Sequence, residues 1–120
     1  MQRFKHSLIN AFRGVRDLLR TQPNFCLGLA IAFLVLLAAY LLHLRTLERV
    51  ALVIMITVVL AAEAANSVLE NILDGVSKNF SPRFRVAKDM LAGITLIVAT
   101  GSAIIGVIIF YPYLKALLWP

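Results

Sequence analysis

The sequence predicts an all-α membrane protein, an N-terminal amphipathic surface helix followed by three transmembrane helices. Of its 120 residues 61% are hydrophobic and 15% charged, and the mean hydropathy of +0.88 exceeds what a soluble domain of this size can bury. Three apolar stretches, 25–44, 50–74 and 88–114, are each long enough to cross about 30 Å of hydrocarbon as a helix. The basic residues are also uneven. Arg3, Lys5, Arg13, Arg16 and Arg20 precede the first stretch, and Lys78, Arg83, Arg85 and Lys88 lie between the second and third. Only Arg45, Arg49 and Lys115 fall elsewhere. This asymmetry predicts a multi-pass membrane protein with its N-terminus and second loop in the cytoplasm and its first loop and C-terminus outside. A net charge of +6 is then mostly topology plus attraction to anionic headgroups, and no nucleic-acid partner is needed to explain it.

Residues 1–21 read as the surface helix. Phe4, Leu8, Phe12, Val15 and Leu19 share one side, and Arg3, Arg13, Arg16 and Arg20 the other. Gln22-Pro23-Asn24 breaks it, because Pro23 disfavours helical geometry at Gln22 and can open the next helix. The first span, 25–44, is too long for the apolar region of a signal peptide and is expected to be retained. It has no ionisable group before His43 and serves packing. Cys26, the lone cysteine, suits a small apolar position, and His6 and His43 suit interfacial ones. The short turn Arg45-Thr46-Leu47-Glu48-Arg49 makes the second span an antiparallel neighbour of the first. Asp74-Gly75 to Arg85 reads as a frayed helix end, loop and turn. Asp89 and Lys88 would open the third span, where Asp89 favours the positive helix end and Lys88 opposes it. Tyr111, Tyr113 and Trp119 form an aromatic belt at the far end. A single domain, 1–120, is expected.

Within the second span Glu63, Asn66, Glu70 and Asp74 fall on one helical face; Glu63 and Glu70 differ by about 20° in azimuth. Ionisable groups are expensive in a bilayer and mark function by default. The stripe rises about 16 Å from Glu63 to Asp74, so its members are expected to differ in role. Asp74 is shallow enough to be solvated. Glu63, two or three turns deeper, suits proton transfer. Glu70, between them, could ligate a hard cation such as Mg²⁺, which takes one or two protein carboxylates and fills its shell with water and phosphate oxygens.

Such an arrangement fits a lipid hydroxyl just below the headgroups and a phosphate donor arriving from water. Phosphoryl transfer needs an acceptor base, a metal on the donor phosphates and cations against developing charge, for which Lys88 and the N-terminal arginines are available. The sequence contains no G-x-x-x-x-G-K-[ST] or G-x-G-x-x-G loop, so a nucleotide would be held at the membrane surface. Two other classes stay open on the residues alone. A proton- or cation-translocating protein could use the stripe, although the outer half of the span offers only Thr57 to continue a relay. A noncatalytic assembly protein could pair the carboxylates with cations of neighbouring chains.

The run Glu63-Ala64-Ala65-Asn66-Ser67-Val68-Leu69-Glu70, with Asp74 four further on, resembles the E-x-x-N-[ST]-x-x-E-x-x-x-D signature of the prokaryotic diacylglycerol kinase family, which includes undecaprenol kinases. Ala87-Lys88-Asp89 through Gly93 resembles the same family's A-K-D block, and the resemblance extends over nearly the whole chain. It implies a small homotrimer with active sites shared between neighbouring chains. These transfer the γ-phosphate of ATP, with Mg²⁺ as cofactor, to a membrane lipid alcohol, either diacylglycerol or undecaprenol. By motif match, Glu63 is the catalytic base and, with Asn66, lines the acceptor site. Glu70 is a metal ligand, and it belongs with Asp74, Lys88 and Asp89 to the nucleotide site. Arg3 and Asn10 align more loosely with positions that approach the nucleotide. The sequence departs from the pattern at Gln22, where the family carries a second metal-binding glutamate, and at Asn79-Phe80-Ser81, where it often carries E-Y-H. Ala65 and Val68 are also atypical. Beside the active lipid kinase that the resemblance implies, these departures keep a weakened or noncatalytic homologue, acting as a membrane assembly protein, open.

Overall fold

The computed structural model describes residues 2–76 and 82–119 and is helical: α1 Gln2–Thr21, α2 Pro23–Leu41, α3 Thr46–Val76 and α4 Pro82–Leu118. The last three are long and apolar enough to cross a membrane. In an apolar solvent every backbone polar group needs an internal partner, which favours long unbroken helices and very short turns.

Only Gln22 separates α1 from α2. Its backbone is extended (φ −117°, ψ 94°), as a residue before proline prefers, and Pro23 opens α2, where a missing N–H costs nothing. The Cys26 thiol ties the joint across the break by donating to Leu19 O at 3.1 Å. On the α1 side the Gln22 N–H donates to Leu18 O at 2.9 Å and the Thr21 hydroxyl to Asp17 O at 2.7 Å.

Phe25, Ala32 and Ala39, seven residues apart, are the buried residues of α2, with Gly28, Val35 and Leu42 at the alternating positions between and after them. This is the 3.5-residue seam of antiparallel helices packed knobs into holes. At Gly28 a Cβ would lie 3.0 Å from Leu60 Cδ2, so glycine lets α2 and α3 approach there. At the other end of the seam Ala39, Leu44 and Leu52 form the core, with Val35, Leu42, Ile109, Phe110 and Tyr113 packed on it.

The α2–α3 turn is tighter than expected, because α2 ends at Leu41 and α3 already begins at Thr46. His43 adopts a left-handed conformation (φ 53°), while the Leu44 N–H donates to Ala39 O and the His43 N–H to Tyr40 O. This is a Schellman cap completed by the Ala39–Leu44 contact. Glu48, within the expected turn, instead sits in the first turn of α3. Its carboxylate accepts the Arg45 N–H at 2.9 Å, one half of a capping box. The same carboxylate accepts the Tyr113 hydroxyl at 2.5 Å, so Tyr113 clasps α4 to α3 in addition to its interfacial place.

The third span begins earlier than the sequence suggests. Pro82 is the first residue of α4, and Arg83 to Val86 are helical rather than turn. Asp89 therefore lies two turns inside the helix and Lys88 with it; neither acts at its N-terminus. Near the other end Pro112 is inside α4 and leaves the Ile108 carbonyl without its usual donor, yet the helix continues to Leu118. The expected loop residues Asn79, Phe80 and Ser81 lie outside the described residues.

A non-glycine residue in the left-handed region carries a backbone cost that glycine avoids. His43→Gly is expected to stabilise the fold by up to about 1 kcal/mol, read as a higher thermal midpoint in detergent micelles. An unchanged or lower midpoint would show that the imidazole makes a compensating contact.

Candidate functional site

Three rungs set the register of α3 against α4. Glu48 meets Tyr113, the Ser102 hydroxyl lies 3.7 Å from Met55 Sδ, and the Lys88 ammonium donates to Asp74 Oδ1 at 2.5 Å. Gly28 against Leu60 and Ala39 against Leu52 do the same for α3 on α2. These contacts fix the height of the polar stripe. Glu63 is one turn beyond Leu60, which places it beside the first turn of α2, near Phe25, and beside Leu96 and Ile97 of α4. Its depth in the bundle is therefore that of the beginning of an apolar span.

The four stripe residues differ in environment as well as height. Glu63 and Glu70 are half-buried and Asp74 is exposed. Among the described residues the Asn66 side-chain oxygen is buried and has no hydrogen-bond partner. A buried acceptor without a donor is costly and calls for an incoming group. A hydroxyl is one group that would satisfy it. Ser67, next along the helix, is buried at 4% exposure; as the small residue of the motif it turns away from the stripe toward the packed side.

At the open end Asp74 and Lys88 form an ion pair between α3 and α4, with side-chain exposures of 66% and 35%. The Glu70 carboxylate acts on the same ammonium through space. Sequence matching proposed both Asp74 and Lys88 but not their contact, which depends on the early start of α4. Asp89 is exposed on α4 beside Lys88.

Gln22 is half-buried at the α1–α2 joint. The α2–α3 register brings it to about the height of Asn66 to Leu69. Arg3 and Asn10 are exposed on α1, about 27 Å and 16 Å of helix from Thr21. Among the described residues no hydrogen bond or ion pair joins them to the stripe. Within one chain the structure thus brings together Glu63, Asn66, Glu70, Asp74 and Lys88, sets Gln22 at their height, and leaves Arg3 and Asn10 apart.

Among the described residues no three His, Cys, Asp or Glu side chains gather as a metal cage. Glu70 and Gln22, the two positions the sequence singles out as metal donors, are both half-buried; an ion such as Mg²⁺ usually takes only one or two protein carboxylates and fills its shell with water and phosphate oxygens.

Residues 9–110 match the family model described as prokaryotic diacylglycerol kinase. The chain is 32% identical over 114 residues to an undecaprenol kinase of Bacillus subtilis (strain 168), covering 95% of this chain and 93% of that protein. It is 31% identical over 109 residues to a diacylglycerol kinase of Synechocystis sp., covering 90% of this chain and 62% of that relative.

If the Asp74–Lys88 pair ties α3 to α4, the thermal midpoints of Asp74→Asn, Lys88→Met and the double variant will be non-additive, the second change costing less once the first is made. Strict additivity in a double-mutant cycle would mean that the pair does not form in the micelle.

Proposed function

The chain belongs to the prokaryotic diacylglycerol kinase family and is a lipid kinase, and from that premise we propose that it phosphorylates diacylglycerol or undecaprenol with ATP at the cytoplasmic membrane interface. The observation that carries this reading is the position of Glu63 and Asn66. A carboxylate and a buried amide oxygen that has no donor among the described residues stand together at the height where an apolar span begins, which is where a lipid presents its hydroxyl.

In this reading Asn66 orients the acceptor hydroxyl through its side-chain amide and Glu63 takes the single hydroxyl proton as the oxygen–phosphorus bond forms, while the bond from the γ-phosphorus to the β-bridging oxygen of ATP breaks and ADP leaves. Lys88, released from Asp74 by competing phosphate oxygens, faces the transferred charge. Glu70, with Gln22 as a weak neutral donor, would hold Mg²⁺, which when bound withdraws charge from the nucleotide phosphates. Asp74 and Asp89 flank the nucleotide side. α1 lies in the membrane interface with Phe4, Leu8 and Phe12 toward the acyl region and its arginines toward headgroups. Arg3 and Asn10 are too far along α1 to serve the stripe of their own chain without folding back, which supports a homotrimer in which α1 reaches a neighbouring site. The basic asymmetry supports a cytoplasmic N-terminus and an outside C-terminus.

The reading is tested with purified protein in mixed micelles, labelled ATP and each lipid alcohol. Glu63→Gln is expected to lower kcat by about 10²–10⁴-fold while KM for ATP changes little; a variant as fast as the parent would remove Glu63 as the base. Transfer to neither lipid across a range of Mg²⁺ would sink the activity for this chain, and proteoliposome flux would then test ion transport. Separately, Gln22→Glu should lower the Mg²⁺ concentration for half-maximal rate, because a carboxylate replaces an amide donor. An unchanged requirement would place Gln22 outside the metal's reach.

A further inference from the structure

The surface of α1 divides by azimuth into three edges. At about 100° per residue Lys5, Arg13, Arg16 and Arg20 fall within about 80° of one another. The apolar stripe of Phe4, Leu8, Phe12, Val15 and Leu19 is centred about 100° to one side of that row, and Arg3 with Asn10 about 110° to the other. Leu18 is the one half-buried residue of α1, and it lies about 140–160° round the helix from each of the four cations. Because α1 packs against α2, Leu18 marks the side turned to the bundle. The row therefore runs along the opposite flank, for about 22 Å. With the apolar stripe toward the acyl chains, that flank is level with the headgroups.

Charge decides what the row can face. Arg16 meets Asp17 at 3.5 Å with both side chains more than half exposed, a contact worth little in water. Among the described residues Lys5, Arg13 and Arg20 have no acidic partner. A second copy offers little to match four cations. Of the six acidic residues of the chain, Asp17 is on α1 itself, Glu48 is at the far end of α3, Asp74 is paired with Lys88, and Glu63 and Glu70 are half-buried in the stripe. That leaves Asp89. A leaflet containing anionic phospholipid supplies negative charge along the whole row, where each cation is worth about fivefold in affinity. A shallow groove between Ile9, Phe12, Arg13 and Arg16 also sets two guanidinium groups beside apolar side chains, the order in which a lipid presents its phosphate and its first methylenes.

The row is joined to the polar stripe of α3 through one residue. Gln22, with its extended backbone, is the whole connection between α1 and α2, and the Cys26 thiol holds Leu19 O across it. A change in how α1 lies on the membrane is taken up at Gln22, which stands at the height of Asn66 to Leu69. Resting on the lipid-kinase reading above, we infer that the cation row of α1 docks on anionic phospholipid in the leaflet that holds the lipid alcohol, and that this docking sets Gln22 and raises the rate of transfer. The reaction then feeds back on its own surface. Each turnover replaces a neutral alcohol by a phosphate monoester carrying about −1.5 to −2 charges at pH 7, so the leaflet beneath α1 becomes more anionic as product accumulates.

The test places the full chain in bilayer nanodiscs of phosphatidylcholine, alone or mixed with phosphatidylglycerol, with labelled ATP, Mg²⁺ and diacylglycerol or undecaprenol at a fixed mole fraction. Amide hydrogen exchange of residues 2–20 and the initial rate are followed together. Phosphatidylglycerol is expected to slow the exchange and to raise the rate by at least about fivefold, and high salt to erase both effects by shortening the screening length. On phosphatidylcholine alone the progress curve should accelerate as product accumulates, whereas with phosphatidylglycerol present from the start it should be linear. Lys5→Gln, Arg13→Gln, Arg16→Gln and Arg20→Gln together, which keep a similar helix propensity, should make the rates on the two membranes equal. Asp17→Asn removes the acid beside Arg16 and should reach half-maximal rate at a lower phosphatidylglycerol fraction. A purely structural role of α1 would not give that shift, and it can be read even if the fourfold variant misfolds. Exchange that ignores phosphatidylglycerol overturns the docking. Slowed exchange with equal rates overturns the coupling through Gln22 and leaves the kinase reading intact. Transfer to neither alcohol on either membrane removes the kinase reading and the regulation with it, while the exchange still decides the docking.

Discussion

The structure depends on one constraint, the antiparallel register of α3 between α2 and α4. That register is enforced by geometry at both ends. A four-residue connection with a left-handed His43 leaves α2 and α3 no freedom to slide. Gly28 against Leu60 locks their other end, because a shift would drive side chains into the place where glycine admits the neighbouring helix. Tyr113 on Glu48 and Lys88 on Asp74 then bind α4 to the two ends of α3. Every height assigned to a polar residue follows from this register. Glu63 stands beside Phe25, and Asn66 to Leu69 come level with Gln22, because the turn is short and α2 and α3 pack antiparallel in the register that Gly28–Leu60 and Ala39–Leu52 set.

The two ends of the bundle solve different problems with the same tools. At the turn end, one oxygen of the Glu48 carboxylate accepts both the Arg45 N–H and the Tyr113 hydroxyl and so caps α3 and holds α4 to it. At the stripe end, Asp74 is paired with Lys88, whereas Glu63 and Glu70 are half-buried and, among the described residues, the Asn66 amide oxygen is unpaired. Structural polar groups are satisfied within the chain, and groups with unmet capacity mark where something else must enter. The contrast separates Glu48 from Glu63 and Glu70, although all three are glutamates on one helix.

Much of this was legible in the sequence, for identifiable reasons. The spans follow from hydropathy, and the shared face of Glu63, Asn66, Glu70 and Asp74 follows from the helical period alone. The boundaries were harder to read. Thr46 to Arg49 and Pro82 to Val86 are polar or contain proline, which reads as turn, yet both stretches are helix because Glu48 caps one and Pro82 opens the other. The spacing of Arg45 and Glu48 was the available signal for the first. Seven-residue spacing of Phe25, Ala32 and Ala39 was likewise present and marks the packed seam. Contacts between helices remote in sequence, Asp74 with Lys88 and Glu48 with Tyr113, depend on register, and register is set by the turn, which single-residue propensities do not describe.

The height of Glu63 beside the first turn of α2 has a consequence for the work of reaching a lipid. Each methylene drawn out of hydrocarbon into water costs about 0.8 kcal/mol, so a site above the headgroups would have to lift many carbons before its chemistry could begin. A carboxylate at the edge of the apolar layer has no such toll, and on the proposed reading its acceptor arrives by lateral diffusion with its tail still dissolved in the bilayer. Encounter is then a two-dimensional search, governed by the mole fraction of the lipid in the membrane and not by its concentration in water.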